Sequence, residues 1–330
     1  MEVSFHRGVY LPELDLWLDS RRRREFGLIS HAHSDHTARH ARPVVTRNTG
    51  LLLSEYLKKS DPILLDYLEP LETDRSTITL YPAGHCLGSA QVLVQSKATG
   101  ERLLYTGDFK SRPSPTNEPL APVHCDILVM EATYGRPMYT FPPAEQVMAT
   151  AYRVLRTWIT QGERPVVHAW RLGKAQELLH LLLGEGFDVA LEESIYQAAR
   201  IYEQGGVSFP GELRSFDGRW SDGQVLICPP GKWDRANLNG IAGLRIMQLT
   251  GWASDSHNWW SRRGDASLAY SDHADFTELV DYVNQVQPQR VYTVNGFPEL
   301  AAHLRYLGYP AVHLGDKGRP VDAGFQMKMM

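Results

Sequence analysis

The sequence predicts an α/β protein in which a small parallel α/β domain is inserted into a larger domain of strands and turns. The first 130 residues are mostly short apolar strands bounded by Pro and Gly, whereas strands alternate with helical patterns from about residue 144 to 245. After residue 245 a strand, a helix and a strand again resemble the pattern of the first 130 residues. We therefore expect a discontinuous larger domain of residues 1–138 and 246–330, and an inserted domain of residues 139–245.

The individual elements follow from apolar spacing and from turn residues. In the first part, an apolar run at residues 26–30 stops directly at His31, and residues 49–59 have helical spacing. Further strands are predicted at 77–81, 91–95 and 102–106, and the insert alternates helices at 144–160, 173–184 and 194–204 with strands at 165–169 and 187–191. The last part has strands at 245–249 and 290–294 around a helix at 276–286.

Composition excludes several classes of protein. The 330 residues are 43% hydrophobic, enough for a packed core, and the formal net charge of −4 excludes a strongly basic protein that grips nucleic acid with its bulk charge. The three cysteines form no CxxC pair, so neither a disulfide framework nor a thiolate zinc site is predicted. The sequence has no signal pattern and no apolar run of about 20 residues, so we expect a cytoplasmic protein without a membrane span.

A candidate metal-binding segment follows the predicted strand at residues 26–30. His31, His33, Asp35 and His36 lie within six residues. Imidazole nitrogen and carboxylate oxygen suit Zn²⁺ first, with Mn²⁺ or iron as alternatives. An extended backbone turns His31 and His33 to the same side, while Asp35 and His36 can face a second metal.

His85 and Asp108 are candidates for the remaining ligands, because each follows a glycine near the end of a predicted strand. A carboxylate such as that of Asp108 can bridge two metal ions. Thirteen histidines will also cluster somewhere by chance, and a lone histidine is better interpreted as a structural or surface group. Four ligand-type residues within six positions, followed by these two candidates, form a far more specific pattern.

The spacing of residues 31–36, HAHSDH, resembles the signature of the metallo-β-lactamase superfamily. Residues 82–90, PAGHCLGSA, and 105–109, YTGDF, narrow the resemblance to its β-CASP nucleases, which include mRNA 3′-end endonucleases, ribonuclease J and Artemis-type DNA nucleases. The resemblance implies an αββα sandwich with the site at one edge of the sheets. The inserted domain would then be the β-CASP domain.

Three further segments extend the resemblance over nearly the whole chain: residues 130–135, MEATYG, residues 172–178, LGKAQEL, and residues 271–276, SDHADF. They imply catalytic roles for Glu131 and His273, and contacts to a substrate phosphate from Arg171, Lys174 and Ser271. Without the family match, Arg171 and Lys174 would be interpreted as solvated charges. Glu131 would then be a helix-end or loop carboxylate, and His273 a structural or surface histidine.

Two departures from the family pattern concern the substrate. The insert is short for the family, and residues 292–296, YTVNG, stand where the RNA-processing members have a histidine that binds the second metal. Artemis-type DNA nucleases also lack this histidine and carry Thr-Val-Asn, so the departure indicates DNA and a weaker second site. The combination is most similar to the bacterial DNA ligase-associated exonucleases. This implies DNA repair and an association with an ATP-dependent DNA ligase and a helicase.

The resemblance implies a two-metal phosphodiesterase, an exodeoxyribonuclease acting from 5′ to 3′ on single-stranded or end-exposed DNA. Metal one would be held by His31, His33, His85 and Asp108, and metal two by Asp35, His36 and Asp108. Asp35 would orient the attacking water or accept its proton. His273 would contact a phosphate oxygen or protonate the leaving alkoxide, with Glu131 holding its ring.

Several interpretations stay open at this point. An RNA-processing β-CASP ribonuclease is the main alternative, and a non-catalytic scaffold or a small thioester or lactam hydrolase are two others. The four arginines at residues 21–24 either form a solvated turn or bind the DNA backbone. Trp170, Trp252, Trp259 and Trp260 could stack on unpaired bases, although tryptophans are more often core residues.

Overall fold

A computed structural model describes residues 1–231, 241–258 and 264–315 of the chain. It divides into two compact units. The first unit contains Met1–Pro113, Glu118–Pro137 and the residues from Phe276 onward, and the second contains Ser114–Asn117 and Met138–Asp275.

The first unit begins with a sheet whose six described strands lie side by side in chain order. The first three strands pair antiparallel and the others parallel. Thr46 caps the first helix, because its side-chain oxygen accepts the N–H of Thr49. The elements are β1 (Ser4–Phe5), β2 (Val9–Leu11), β3 (Leu16–Leu18), β4 (Phe26–Leu28), β5 (Arg42–Thr46), α1 (Arg47–Leu52), α2 (Ser54–Leu57) and β6 (Ile63–Leu65).

A second sheet of the first unit continues along the chain with antiparallel strands joined by short turns. Its last strand in this part pairs parallel with its neighbour, and every one of its residues is buried. Such continuous burial is typical of a strand at the centre of a sheet. These strands are β7 (Pro70–Glu72), β8 (Ser76–Pro82), β9 (Ala90–Ser96), β10 (Arg102–Tyr105) and β11 (Ile127–Ala132).

The second unit is a five-stranded parallel sheet with helices, built around its own hydrophobic core. Long parallel connections need a helix to cross back, which is why strands and helices alternate here. Its elements are α3 (Ala144–Thr160), β12 (Arg164–His168), α4 (Lys174–Gly184), β13 (Val189–Leu191), α5 (Glu193–Gln204), β14 (Val225–Cys228), β15 (Leu244–Leu249) and β16 (Ala266–Leu268). The strand order is β13-β14-β12-β15-β16.

The division of the chain differs from the predicted return to the larger domain at residue 246. β15 pairs with the whole length of β12, from Arg164 opposite Leu244 to His168 opposite Gln248, and the second unit extends to Asp275. A short apolar strand has the same pattern in either sheet, so the sequence alone could not assign β15 to its partner.

The chain returns to the first unit with α6 (Phe276–Val286), β17 (Arg290–Gly296), α7 (Glu299–Tyr306) and β18 (Ala311–His313). β17 pairs parallel with β11, which completes a sheet of order β18-β17-β11-β10-β9-β8-β7. Leu28 of one sheet and Val129 of the other belong to one hydrophobic core, so the two sheets form a sandwich. Helix α1 contacts the first sheet and α7 contacts the second. The predicted α/β class is confirmed.

Candidate metal centre

Three loops of the first unit bring the predicted metal ligands together. Residues 31–36 follow β4, His85 lies in the turn between β8 and β9, and Asp108 follows β10. His31, His85 and Asp108 are buried, whereas His33 is partly exposed. The site is therefore a mostly buried cluster with one side open to solvent.

Four ligand atoms of these loops converge. Nε2 of His31 lies 3.1 Å from Nδ1 of His33, and Nε2 of His85 lies 3.0 Å from the same Nδ1. Oδ2 of Asp108 lies 3.6 Å from Nε2 of His31 and 4.0 Å from Nε2 of His85. All four residues offer a ligand atom within 4.8 Å of the others.

This arrangement fits a divalent metal ion better than a hydrogen-bond network. Nδ1 of His33 carries at most one proton, so it can donate to only one of the two Nε2 atoms that face it. In a tetrahedral zinc site with Zn–N distances of about 2.0–2.1 Å, neighbouring nitrogens lie about 3.3 Å apart. The observed separations are close to that value, and three imidazoles with one carboxylate are ligands that Zn²⁺ accepts.

A second group of ligands adjoins the first. Nε2 of His36 lies 3.2 Å from Oδ2 of Asp108 and 3.8 Å from Oδ2 of Asp35. The carboxylate of Asp108 therefore lies between the first ligand set and His36, as a bridging ligand would. The side chain of Asp35 is 59% exposed, so a water molecule or a substrate oxygen can reach it.

Asp19 is a residue of the site that the sequence analysis missed. Its Oδ2 lies 2.7 Å from Nδ1 of His36 and accepts hydrogen bonds from the hydroxyls of Tyr105 at 2.8 Å and Ser30 at 2.6 Å. The Ser30 hydroxyl in turn lies 2.9 Å from Nδ1 of His31. Asp19 thus occupies the outer nitrogen of His36 directly and that of His31 through Ser30, which leaves both Nε2 atoms facing the candidate metal site. An acidic residue directly after β3, one strand before the histidine segment, was the available signal.

The loop that carries His85 is held by a glycine and by short polar contacts. The Ser89 hydroxyl accepts the N–H of His85 at 3.1 Å. Gly88 has φ +77°, its N–H donates to the carboxylate of Glu118 at 3.1 Å, and its carbonyl accepts the Thr49 hydroxyl at 2.8 Å. A Cβ at Gly88 would lie 2.5 Å from the backbone nitrogen of Thr49. Only glycine can therefore close this turn.

Glu131 has a contact that sequence reasoning did not foresee. Its side chain is buried at the end of β11, and its Oε1 accepts the N–H of Phe109 at 2.8 Å. Because Phe109 follows Asp108 directly, this bond shapes the turn that presents the Asp108 carboxylate. The predicted support of His273 by Glu131 stays a prediction.

The pKa values of two neighbouring histidines of the centre are shifted in opposite directions. Burial lowers the pKa of His31 well below its usual value, and the charge of His36 adds to that effect. Burial alone would also lower the pKa of His36, but the carboxylates of Asp108 and Asp19 raise it well above its usual value. The two carboxylates therefore favour the protonated form of His36, and a metal ion at its Nε2 would compete with a proton there.

Comparisons with known proteins show which proteins this chain resembles. Residues 266–313 match the family described as "Zn-dependent metallo-hydrolase RNA specificity domain". The "Probable DNA ligase" of Opitutus terrae is 39% identical over 321 residues, which cover 96% of this chain and 31% of that protein. The "DNA cross-link repair 1A protein" of Mus musculus is 26% identical over 306 residues, covering 81% and 28%. The "5' exonuclease Apollo" of Gallus gallus is 28% identical over 294 residues, covering 84% and 60%.

The chain is homologous to these proteins, and its residues 266–313 match a domain of zinc-dependent metallo-hydrolases. This confirms the resemblance that the motifs predicted, and the family description agrees with a metal-dependent hydrolase. The chain spans about a third or less of the length of the Opitutus terrae and Mus musculus proteins. Every helix among the described residues is too short or too polar to span a membrane.

Four predicted site residues lie in the second unit. Nζ of Lys174 forms a buried ion pair with Oδ1 of Asp272 at 3.0 Å. Ser271 is buried, and its hydroxyl accepts the N–H of the partly exposed His273 at 3.0 Å. Arg171 is exposed on the loop before α4. The structure therefore brings Lys174 to the loop that holds Ser271 and His273, and leaves Arg171 at the surface.

Two of the arginines at residues 21–24 have different partners: Arg21 contacts Asp35, and Arg24 stacks on Trp17. Nε of Arg21 donates to the backbone carbonyl of Asp35 at 2.8 Å, and its guanidinium lies 4.0 Å from the Asp35 carboxylate. The guanidinium of Arg24 lies 3.5 Å from the ring centre of Trp17. One arginine of the run therefore supports a candidate metal ligand. Of the tryptophans considered for base stacking, Trp259 and Trp260 lie outside the described residues.

Proposed function

We propose that this chain is a metal-dependent exonuclease that hydrolyses phosphodiester bonds of DNA in DNA repair, in the cytoplasm. The observation that carries the proposal is the convergence of three imidazole nitrogens on the carboxylate of Asp108, with His36 on its other side. Such adjoining ligand sets suit the two-metal hydrolysis of a phosphodiester. The first unit would be the hydrolase domain and the second the β-CASP domain.

The relatives support DNA as the substrate. Two of them are named for DNA cross-link repair and for 5′ exonuclease activity, and a third is named a probable DNA ligase. The Thr-Val-Asn sequence at residues 293–295 also favours DNA. We infer digestion from the 5′ end of single-stranded or end-exposed DNA, and a functional association with an ATP-dependent DNA ligase and a helicase.

Two Zn²⁺ ions, or Mn²⁺ in their place, would be held by the ligand sets of the first unit. When bound, they would neutralise charge on the phosphoryl oxygens and lower the pKa of a water molecule from about 15.7 toward 7. Asp35, whose carboxylate is exposed, would orient the attacking water and accept its proton. Asp19 and Ser30 would keep the imidazoles of His36 and His31 in the orientation that binds metal.

Residues of the second unit would act on the substrate. His273 would contact a phosphate oxygen or protonate the leaving alkoxide. Arg171, Lys174 and Ser271 would donate hydrogen bonds to phosphate oxygens, since charge-assisted bonds of this kind are the strong ones. Lys174 has three donors, so it can keep its ion pair with Asp272 and still reach a phosphate.

One observation favours a second candidate, an RNA-processing nuclease. The family that matches residues 266–313 is described as an RNA specificity domain. The same centre would then hydrolyse RNA, and only the recognition of the sugar would differ.

Matched substrates test the proposal. End-labelled single-stranded DNA, with and without a 5′ phosphate, and RNA of the same sequence are incubated with the full chain in Zn²⁺, in Mn²⁺ or in a chelator. We expect label to leave first from the 5′ end of DNA, and no digestion in the chelator. Faster cleavage of RNA than of DNA would contradict the proposal that DNA is the substrate. Earlier release of label from the 3′ end would contradict the proposed 5′-to-3′ polarity.

Variants test the role of the metal centre. Asp108→Asn should lose both bound metal and digestion, whereas His257→Ala, which alters a side chain that is 87% exposed, should keep both. Two results together would instead indicate a non-catalytic scaffold. These are the absence of bound metal in the wild type and unchanged DNA processing in Asp35→Ala.

A further inference from the structure

The carboxyl edge of the five-stranded sheet of the second unit carries a pocket that is open to solvent. Its walls come from the ends of β12 and β15, which are neighbours in the sheet. From β12 the chain runs first to β13 and β14 on one side, and only later to β15 on the other. Such a reversal of strand order leaves a crevice at the carboxyl ends, which is where parallel α/β sheets bind ligands.

The floor of the pocket is polar but carries no net charge. Lys174 is buried, and the carboxylate of Asp272 at 3.0 Å neutralises its ammonium. The amide Nε2 of Gln248 donates to Nδ1 of His168 at 2.7 Å, and both side chains are buried. The amide of Gln248 and the imidazole of His168 are hydrogen-bonding groups, so a pocket with these groups suits an uncharged polar ring.

Two indoles also line the pocket. The side chain of Trp170 is 52% exposed, and Trp252 packs edge-to-face on Tyr139 at a centroid distance of 5.3 Å. A large exposed aromatic beside a pocket is a stacking platform for a planar ring. Within the part of the chain that the structure describes, Oε1 of Gln248 has no hydrogen-bond donor, so it can accept an N–H from such a ring.

We propose that this pocket takes an unpaired nucleobase of single-stranded DNA, stacked on Trp170 with an N–H of its edge directed to Oε1 of Gln248. The inference rests on the proposed function, because it names the part of the substrate that the second unit recognises. Every nucleobase has a π face and an N–H group, so the pocket would accept any sequence, as digestion from an end requires. Arg171, which is exposed and follows Trp170 directly, would donate to the phosphate of the same nucleotide.

Binding of labelled oligonucleotides to the full chain tests this inference. Fluorescence anisotropy in a chelator measures Kd without digestion, for an oligothymidylate and for the same oligonucleotide with abasic sites. We expect Trp170→Ala to weaken binding of the oligothymidylate about 10- to 100-fold and Trp170→Phe to retain most of it. Tyr306→Ala, which removes another exposed aromatic ring, should bind as the wild type does.

The abasic substrate separates stacking from other effects of the substitution. The wild type should bind it as weakly as Trp170→Ala binds the intact oligonucleotide, and Trp170→Ala should lose nothing further. Equal Kd values for Trp170→Ala and Tyr306→Ala on intact DNA would contradict the proposal that the pocket binds a nucleobase. The proposed nuclease function would not be affected by that result. A wild type that binds RNA but no DNA would overturn the proposed substrate, and the base pocket with it.

Discussion

Oδ2 of Asp19 lies 2.7 Å from Nδ1 of His36, on the opposite side of the ring from the Nε2 that lies 3.2 Å from Asp108. The imidazole is therefore held between two carboxylates, of which one faces the metal side and the other faces the core. A carboxylate behind a ligating histidine fixes the tautomer and increases the basicity of the ligand nitrogen.

Replacing Asp19 with asparagine should weaken metal binding. Asp19→Asn keeps the shape of the side chain but removes the charge that holds the Nδ1 proton of His36. We expect the affinity for Zn²⁺ to fall about 10- to 100-fold, measured by competition with a coloured chelator at pH 7. Asp61→Asn, which changes an exposed partner of Arg42, is the control. Equal affinities of the two variants would contradict the role of Asp19.

Arg21 should matter for the second metal more than for the first. Arg21→Ala removes the hydrogen bond to the backbone of Asp35 and the nearby guanidinium charge. We expect binding of the second equivalent of Zn²⁺ to weaken roughly two- to tenfold, the equivalent of one hydrogen bond, without a change in the first. Calorimetric titration measures both steps. Arg22→Ala, the neighbour in the same run, should titrate as the wild type does, and superimposable curves for both variants would refute the prediction.

Two glycines with nearly the same backbone conformation should differ in their tolerance of alanine. Gly88 has φ +77° and Gly100 has φ +75°, but a Cβ would lie 2.5 Å from the Thr49 nitrogen at Gly88 and would meet nothing within 4 Å at Gly100. Gly100→Ala should cost about 1 kcal/mol of unfolding free energy, from the left-handed backbone alone. Gly88→Ala should cost about 3 kcal/mol or more, because the loop must also move.

Urea unfolding of both glycine variants in a chelator measures these costs. Because the Gly88 loop carries His85, Gly88→Ala should also bind Zn²⁺ more weakly, whereas Gly100→Ala should not. If the two variants unfold at the same urea concentration, the close contact at Gly88 does not contribute to the free energy of unfolding.

His40 should make the fold sensitive to acid. Its Nδ1 accepts the N–H of Arg24 at 3.1 Å, and burial lowers its pKa from the ordinary 6.5 to about 4. Between these two pH values the unfolded chain binds a proton at this residue and the folded chain does not. The contribution of His40 to stability is therefore complete above pH 6.5 and is lost as the pH falls to about 4.

The variant His40→Asn isolates this contribution, because the asparagine oxygen can still accept the N–H of Arg24. Unfolding free energies in urea and a chelator, measured from pH 7 to pH 4, should fall less steeply for His40→Asn than for the wild type. His6→Asn changes an exposed histidine and should follow the wild type. Parallel curves for all three proteins would show that His40 does not titrate in this way.

The convergence of the candidate ligands was predictable from the sequence because its signals are local. His31, His33 and His36 are neighbours in one loop, and His85 and Asp108 follow glycines at strand ends. The fold class was predictable for a similar reason, since the alternation of strand and helix between residues 144 and 204 has a clear period.

The supporting residues were not predictable because their partners are distant in sequence. Asp19 meets Tyr105 across 86 positions, and Glu118 meets Gly88 across 30. A lone carboxylate in a sequence is indistinguishable from a solvated one until the fold supplies its donors. The domain boundary near residue 245 differed for the same reason, because only pairing with β12 assigns β15 to its sheet.

The pairing of β11 with β17 also has a consequence for the synthesis of the chain. Ile127 lies opposite Arg290, and the main part of the second unit is translated between them. At about 5–20 residues per second, a ribosome needs on the order of ten seconds or more to supply the missing strand. Throughout that interval the apolar strand β11 has an open edge, which is the kind of surface that pairs with foreign strands. Nascent chains of this protein are therefore most vulnerable to misassembly, and most in need of a chaperone, while the second unit is being made.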